Sequence, residues 1–213
     1  ERMQGRPLGL GLQLRLLQAL VAQGALEQAR EAQQRYRQLL ADQGDPQQRY
    51  LLAETQLLHL KGDLASSRKV AAQLQDPRRR ARVLLEAALG GGELEQAEGL
   101  LAQADAHGFL KLLLSLAWAQ RGEPARAQRW RQEAVAELGR ASPAEVRAGE
   151  LLTGSVPPLS EVLGLALSPI DKATLLLALA PPEAAQPWRE QAGRFNFWPS
   201  FPHKLLARLG AAN

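Results

Sequence analysis

A six-residue phrase that returns along the chain constrains the fold more than any other feature. Gly24-Ala-Leu-Glu-Gln-Ala29 recurs as Gly92-Glu-Leu-Glu-Gln-Ala97. Two looser copies fit the same frame, Gly62-Asp-Leu-Ala-Ser-Ser67 and Gly122-Glu-Pro-Ala-Arg-Ala127. Each copy follows an apolar stretch at helical spacing and opens another. Glycine ends a helix well because a left-handed residue costs it least. The residue two places on is apolar in every copy, and the residue five places on is small, so a second helix can lie close against the first. A repeated helix–Gly turn–helix unit buries its apolar face by stacking on its neighbours, which predicts an α-solenoid.

Composition agrees with helices and with little else. Hydrophobic residues make up 46% of the 213 and aromatics only 5%, so the core must be built largely from Leu and Ala. Leu, Ala, Gln, Glu and Arg are good helix formers, and no stretch alternates β-branched residues as a strand would. The fold class is therefore all-α. Without cysteine there are no disulfides, thiolate metal sites or thiol catalysis. No run of uncharged apolar residues is long enough to span a membrane. The chain begins at Glu1 rather than Met, and we expect a piece of a longer protein, in which an anchor or a leader could precede it. The compartment is open between cytoplasm and periplasm, with a membrane tether outside this chain compatible with either.

Helix starts are marked by a polar cap followed by proline. Asp45-Pro46, Asp76-Pro77, Ser142-Pro143 and Ser168-Pro169 all have this form, and Glu145 completes a capping box with Ser142. These signals predict helices over about 8–22 and 25–40, 46–60 and 64–74, 77–89 and 93–105, 108–120 and 124–138, then 159–167, 169–180 and 183–193, with a last short helix to about 209. The turn glycines 24, 62, 92 and 122 are spaced by 38, 30 and 30 residues, and Gly154 is a fifth candidate. Residues 1–154 are expected to form the repeats, and 155–213 degenerate repeats with a cap on the same solenoid.

These residues resemble the tetratricopeptide repeat family. That family's pattern has Gly in the turn, an apolar residue two places later and Ala five places later. Leu26 with Ala29, Leu94 with Ala97, and Ala127 follow it. The Trp expected early in the first helix is absent, Leu17 stands where a small residue is usual, and the repeats vary about a length of ~34. The resemblance implies a superhelix whose first helices line a concave groove, and a non-catalytic platform for peptides, helices or subunits. In bacteria such proteins recur in envelope assembly and polysaccharide secretion.

The chemistry-bearing residues point the same way. His59, His107 and His203 stand at no metal-ligand spacing, no Ser sits in a nucleophile elbow, and no cofactor, metal or catalytic residue is expected. Gly90-Gly91-Gly92-Glu93 lacks the Lys-Ser/Thr of a phosphate loop and reads as a helix end. The densest charge is Arg78-Arg79-Arg80-Ala81-Arg82, which the dipole at a helix start disfavours. In the repeat frame Gln18, Arg49, Gln56, His59, Arg79 and Arg82 fall on the groove, a partial likeness to the carboxylate clamp that some tetratricopeptide domains use on acidic tails. Plain solvation is the competing reading for these charges. A second contact surface is offered by Phe195, Phe197, Trp198 and Phe201, whose simpler role is to cap the stack, whereas Trp118 and Trp130 read as core. Residues 1–92 hold 14 basic and 9 acidic side chains and residues 93–213 hold 12 and 13, a bias toward an acidic protein partner. An RNA-binding helical repeat, which would need a repeated polar pair to read bases, and a docking domain of a larger enzyme are the alternatives. Far-UV circular dichroism should show more than about 60% helix, and a substantial strand signal would refute the fold class.

Overall fold

The computed structural model describes residues 13, 16, 17, 19, 20, 26–43, 48, 51, 52, 54, 55, 58, 63–104, 107–195 and 209. Every regular element among them is helical. The chain divides into two compact units, residues 1–75 and 76–213.

In the first unit, helix α1 covers Leu26–Gln43 and α2 covers Leu64–Ala71. Leu17 packs against Ala29 and Ala32, and all three are buried. Asp63 caps α2 by accepting from the Ser66 N–H; the Ser66 hydroxyl first, and then this N–H, hold its carboxyl below the usual carboxylate range. Ser67, the small residue of the second copy, is fully buried and donates its hydroxyl to the Thr55 carbonyl at 3.3 Å. Gln48, in the left-handed region at φ 49°, uses its side-chain amide as a clamp. It accepts from the Gln75 N–H at 2.6 Å and donates to the Gln73 carbonyl at 3.4 Å.

The second unit is a series of helix pairs: α3 (Pro77–Gly91) with α4 (Leu94–Leu101), α5 (Gly108–Gln120) with α6 (Pro124–Leu138), α7 (Pro143–Thr153) followed by the short α8 (Leu159–Gly164), and α9 (Pro169–Leu179) with α10 (Ala185–Phe195). A 3-10 turn, Pro182–Ala184, leads into α10. The bounds of α5 and α6 coincide with those read from the sequence. The starts at Asp76, Ser142 and Ser168 are as expected: Asp76 accepts from the Arg78 and Arg79 N–H groups, Ser142 and Glu145 form a capping box, and Ser168 accepts from the Asp171 N–H.

The two turns that join α3 to α4 and α5 to α6 are copies of each other. Gly92 and Gly122 have φ 76° and 82°. After α3, the Gly92 N–H donates to Leu89 O and the Glu93 N–H to Ala88 O; after α5, Gly122 donates to Ala119 O and Glu123 to Trp118 O. This double bond back onto the helix end satisfies carbonyls that would otherwise be orphaned. It also consumes the N–H groups of the Gly-rich stretch, so 90–93 is a helix end and not an anion cradle. Gly154 ends α7 in an extended conformation instead, and the chain runs through Pro157-Pro158 to α8 without the left-handed turn. Glycines 24 and 62 lie outside the described residues.

The small residue five places after each turn is buried in all four copies: Ala29, Ser67, Ala97 and Ala127. The apolar position differs among copies, since Leu94 is buried but Pro124 is exposed and serves as the first residue of α6. A single core runs through the second unit from Ala81 to Ala192, with Leu112, Leu113, Trp118, Trp130 and Leu138 at its centre. Residues beyond 154 share it: α9 packs on α7 and also directly on α5, so the last helices close over the middle pair. Trp188 is buried in that core.

Two substitutions test this packing. Gly92→Ala places a Cβ at positive φ and should cost about 1 kcal/mol. Ala97→Leu forces extra bulk into a fully buried site and should cost roughly 1–3 kcal/mol, read from urea melts. Unchanged midpoints in both variants would mean that the turn frame is wrong.

Candidate interaction face

The first helices of the four pairs, α3, α5, α7 and α9, start at Asp76, His107, Ser142 and Ser168. His107 and Glu145 line one hollow, and the charges of Arg82, His107 and Glu145 act on Asp171 in the first turn of α9. Arg82, two turns into α3, donates through Nε to Glu86 Oε1 at 3.3 Å. Arg82 makes no other hydrogen bond among the described residues, and its side chain is 51% exposed. Glu86 is only 19% exposed, and burial pushes its carboxyl up to about 7 against the pull of Arg82.

Asp171, in the first turn of α9, takes the Ser168 hydroxyl at 2.6 Å. Burial raises its pKa; the Ser168 bond and the charges of His107 and Arg82 lower it, while Glu145 raises it. Glu145 is held below the usual carboxylate range, chiefly by the Ser142 hydroxyl, which donates to it at 2.6 Å, and by the Ser142 N–H at 3.0 Å.

Beside this cluster lies an open hollow of about 660 Å³ between the start of α5, the end of α6 and the start of α7. His107, Lys111, Glu133, Glu137, Arg140 and Glu145 supply its charged walls. Lys111 pairs with Glu137, and Glu133 is paired with Arg129. The floor is tight, because a Cβ on Gly108 would stand 2.7 Å from Leu138 Cγ.

The edge between pairs is polar as well. Glu95 on α4 meets Arg121 at 3.1 Å and Arg126 at 3.8 Å, and both guanidinium groups lie over the ring of Trp118, which is 1% exposed. The Glu95 carboxyl is held low first by its own backbone N–H and then by these arginines. One turn on, Glu98 accepts the Trp130 indole N–H at 2.6 Å. Trp118 and Trp130 are thus core residues, as their spacing suggested.

Of the residues singled out from sequence, Gln18, Arg49, Gln56 and His59 lie outside the described residues. Arg79 and Arg82 share α3; Arg79 pairs with Asp76 at 3.4 Å. Phe195 is half-buried against the core with the Lys172 ammonium 5.1 Å from its ring centre, and Phe197, Trp198 and Phe201 lie outside the described residues. Sequence reasoning missed His107, Glu145 and Asp171 as members of the face. The signal was present: each sits at or within one turn of the cap of a first helix, so a repeat frame extended to the helix starts would have aligned them. Among the described residues no group of His, Asp and Glu is arranged to hold a metal, and no helix is long and apolar enough to cross a membrane. Compared with family models, curated proteins and solved structures, the chain matches none.

Because the folded state binds the Glu86 proton more tightly than the unfolded chain, stability should fall as pH rises from the ordinary 4.5 through about 7, and stay lower above it. Glu86→Gln should remove this loss, gaining roughly 1–3 kcal/mol above about pH 7.5 and little at about pH 4. Denaturant melts at the two pH values check it; an unchanged pH slope in the variant would show that Glu86 does not carry the effect.

Proposed function

We propose that the chain is a tetratricopeptide-like solenoid acting as a non-catalytic protein–protein scaffold, which receives an acidic peptide or helix on the face formed by its first helices. The observation that carries this reading is the state of Arg82. It is anchored through Nε by Glu86 at 3.3 Å, its side chain is 51% exposed, and its charge acts on Asp171 of α9. A guanidinium held by one edge and open at the other suits a bidentate contact with an incoming carboxylate. Arg79, one turn earlier on α3, extends the basic surface toward the helix start. The paired turns at Gly92 and Gly122, and the buried small residue after each, support a repeat architecture. A role as a subunit of a bacterial envelope or polysaccharide-secretion assembly follows from the family resemblance.

Binding of a labelled hexa-aspartate peptide, measured by fluorescence anisotropy, tests the reading. The double reversal Arg79→Glu/Arg82→Glu should weaken binding about tenfold or more while leaving the circular dichroism spectrum unchanged. Wild-type affinity should fall with added salt because the contacts are exposed. Equal affinity of the double reversal and the wild type would move the site elsewhere, with 195–201 next to be tested.

A further inference from the structure

The short helix α8 departs from the scheme of the other pairs. It has six residues where the second helices α4, α6 and α10 have eight, fifteen and eleven. A helix of that length has no stability of its own and stays folded only where it is docked. Irregular chain flanks it over 154–158 and 165–168. Among the described residues the backbone bonds of 155–167 stay within that segment, so side chains must hold α8 in place. Val162 is fully buried in the core, Leu159 and Leu163 are partly buried against it, and α8 packs on α9. Glu161 Oε1 accepts from Nε of Arg147 on α7 at 3.0 Å, and also from a terminal nitrogen of the same guanidinium. Lys172 on α9 donates to the Leu163 carbonyl at 2.8 Å. Leu159, Val162 and Leu163 stand at i, i+3 and i+4, the anchor spacing of a helix laid in a groove, and Glu161 supplies the charge that meets Arg147.

We propose that α8 is a built-in occupant of a helix-binding seat on α9 beside Arg147 of α7, and that a partner's amphipathic helix, with apolar residues at i, i+3 and i+4 and an acid facing Arg147, displaces it. The inference goes beyond the reading of the Arg82 face: it names a second site and does not depend on the first. The chemistry of the incoming helix is read from the segment that fills the seat. With α8 lifted away, the place of Val162 on the core is bared, Arg147 keeps Glu150 but loses Glu161, and Lys172 loses its carbonyl. An entering helix supplies all three, with an apolar anchor, a carboxylate and the carbonyls of its last turn. Brevity makes α8 the displaceable part. It is held by one fully buried side chain and by an ion pair whose partners are 49% and 33% exposed, and such pairs add little. Segments of this kind open while the rest of the fold stays closed. The flanking stretches keep the displaced helix tethered, so it returns to its seat when the partner leaves.

The test uses the full chain and a fluorescein-labelled peptide of its own residues 157–168, read by anisotropy. The variant Val162→Asp removes the buried anchor of the resident helix. It should bind the peptide at least about tenfold tighter than wild type, whose seat is filled. Adding Arg147→Glu to that variant should weaken binding about threefold or more, and a peptide carrying Glu161→Lys should recover it. Adding Arg79→Glu/Arg82→Glu instead should leave binding unchanged. Loss of binding in that combination would put the peptide on the Arg82 face, which overturns the second site and leaves the first reading standing. Equal binding by wild type and Val162→Asp, binding by neither, or binding that Arg147→Glu does not weaken also overturns the seat. Should Val162→Asp fail to fold, hydrogen exchange of the wild type decides. Amides of α8 that exchange about tenfold or more faster than those of α7 and α9 support a displaceable helix, and exchange in step with those helices overturns it.

Discussion

The second unit depends on a left-handed turn that lets one helix end and the next fold back against it. At Gly92 and Gly122 the chain reverses in a single residue of positive φ, with two backbone bonds returned to the helix just finished. The reversal fixes which residue of the second helix faces the first, and that residue must be small. Ala97 and Ala127 meet the requirement by lacking bulk. In the α5–α6 pair a further bond is built on the same geometry, since Ser115 donates its hydroxyl to the Ala127 carbonyl at 2.7 Å. A hydroxyl can reach a helical carbonyl across a pair only where the two backbones lie close. Ser67 and Thr55 make the equivalent bond in the first unit, where the roles of small residue and donor are combined in Ser67.

Between pairs the adhesive is different. Within a pair, apolar side chains interdigitate; from α4 to the next pair, Glu95 and Glu98 reach across to Arg121, Arg126 and the Trp130 indole. Such exposed ion pairs contribute little individually, and their value here is in placing the arginines over the Trp118 ring. At the far end of the helices, Arg131 donates to the Leu152 and Ala178 carbonyls at 3.0 and 3.2 Å, in the last turns of α7 and α9. A guanidinium between two helix C-termini meets both negative dipole ends. Its desolvation lowers its pKa, but an arginine stays charged regardless, so the bridge persists. Arg131 therefore ties α6 to the ends of α7 and α9.

What the sequence made legible was local. The caps at Asp76, Ser142 and Ser168 act through neighbouring N–H groups, so a few residues of sequence contain the whole interaction. The same holds for the left-handed glycines and for the limits of α5 and α6, bounded by Gly122, Pro124 and Leu138. The Arg82–Glu86 pair, four residues apart on one helix, was readable for the same reason. Long-range closure was not. Nothing in the composition of α9 says that it packs on α5 as well as on α7, and nothing near Asp171 says that Arg82, 89 positions earlier, acts on it. Gly154 shows the limit of a motif: the right residue at the right interval ends a helix, yet the prolines that follow demand an extended link rather than a left-handed turn.

The face formed by the opening turns has a physical logic apart from any partner. Helix starts attract negative charge, and the acids Glu145 and Asp171 stand three residues after their caps, where the dipole and the serine hydroxyls favour them. Helices α7 and α9 each carry such an acid, whereas α5 has none in its first turn. Helix α3 breaks the pattern, because the position three after its cap is Arg79 and one turn later comes Arg82. Those arginines gain nothing from their own helix dipole. What they gain is acids of their own helix: Arg79 pairs with the cap Asp76 and Arg82 with Glu86, while the Arg82 charge also acts on Asp171 of α9. An arginine set against its own helix dipole is thus compensated first along its own helix, by Glu86, which lies four residues on and whose burial opposes its ionisation.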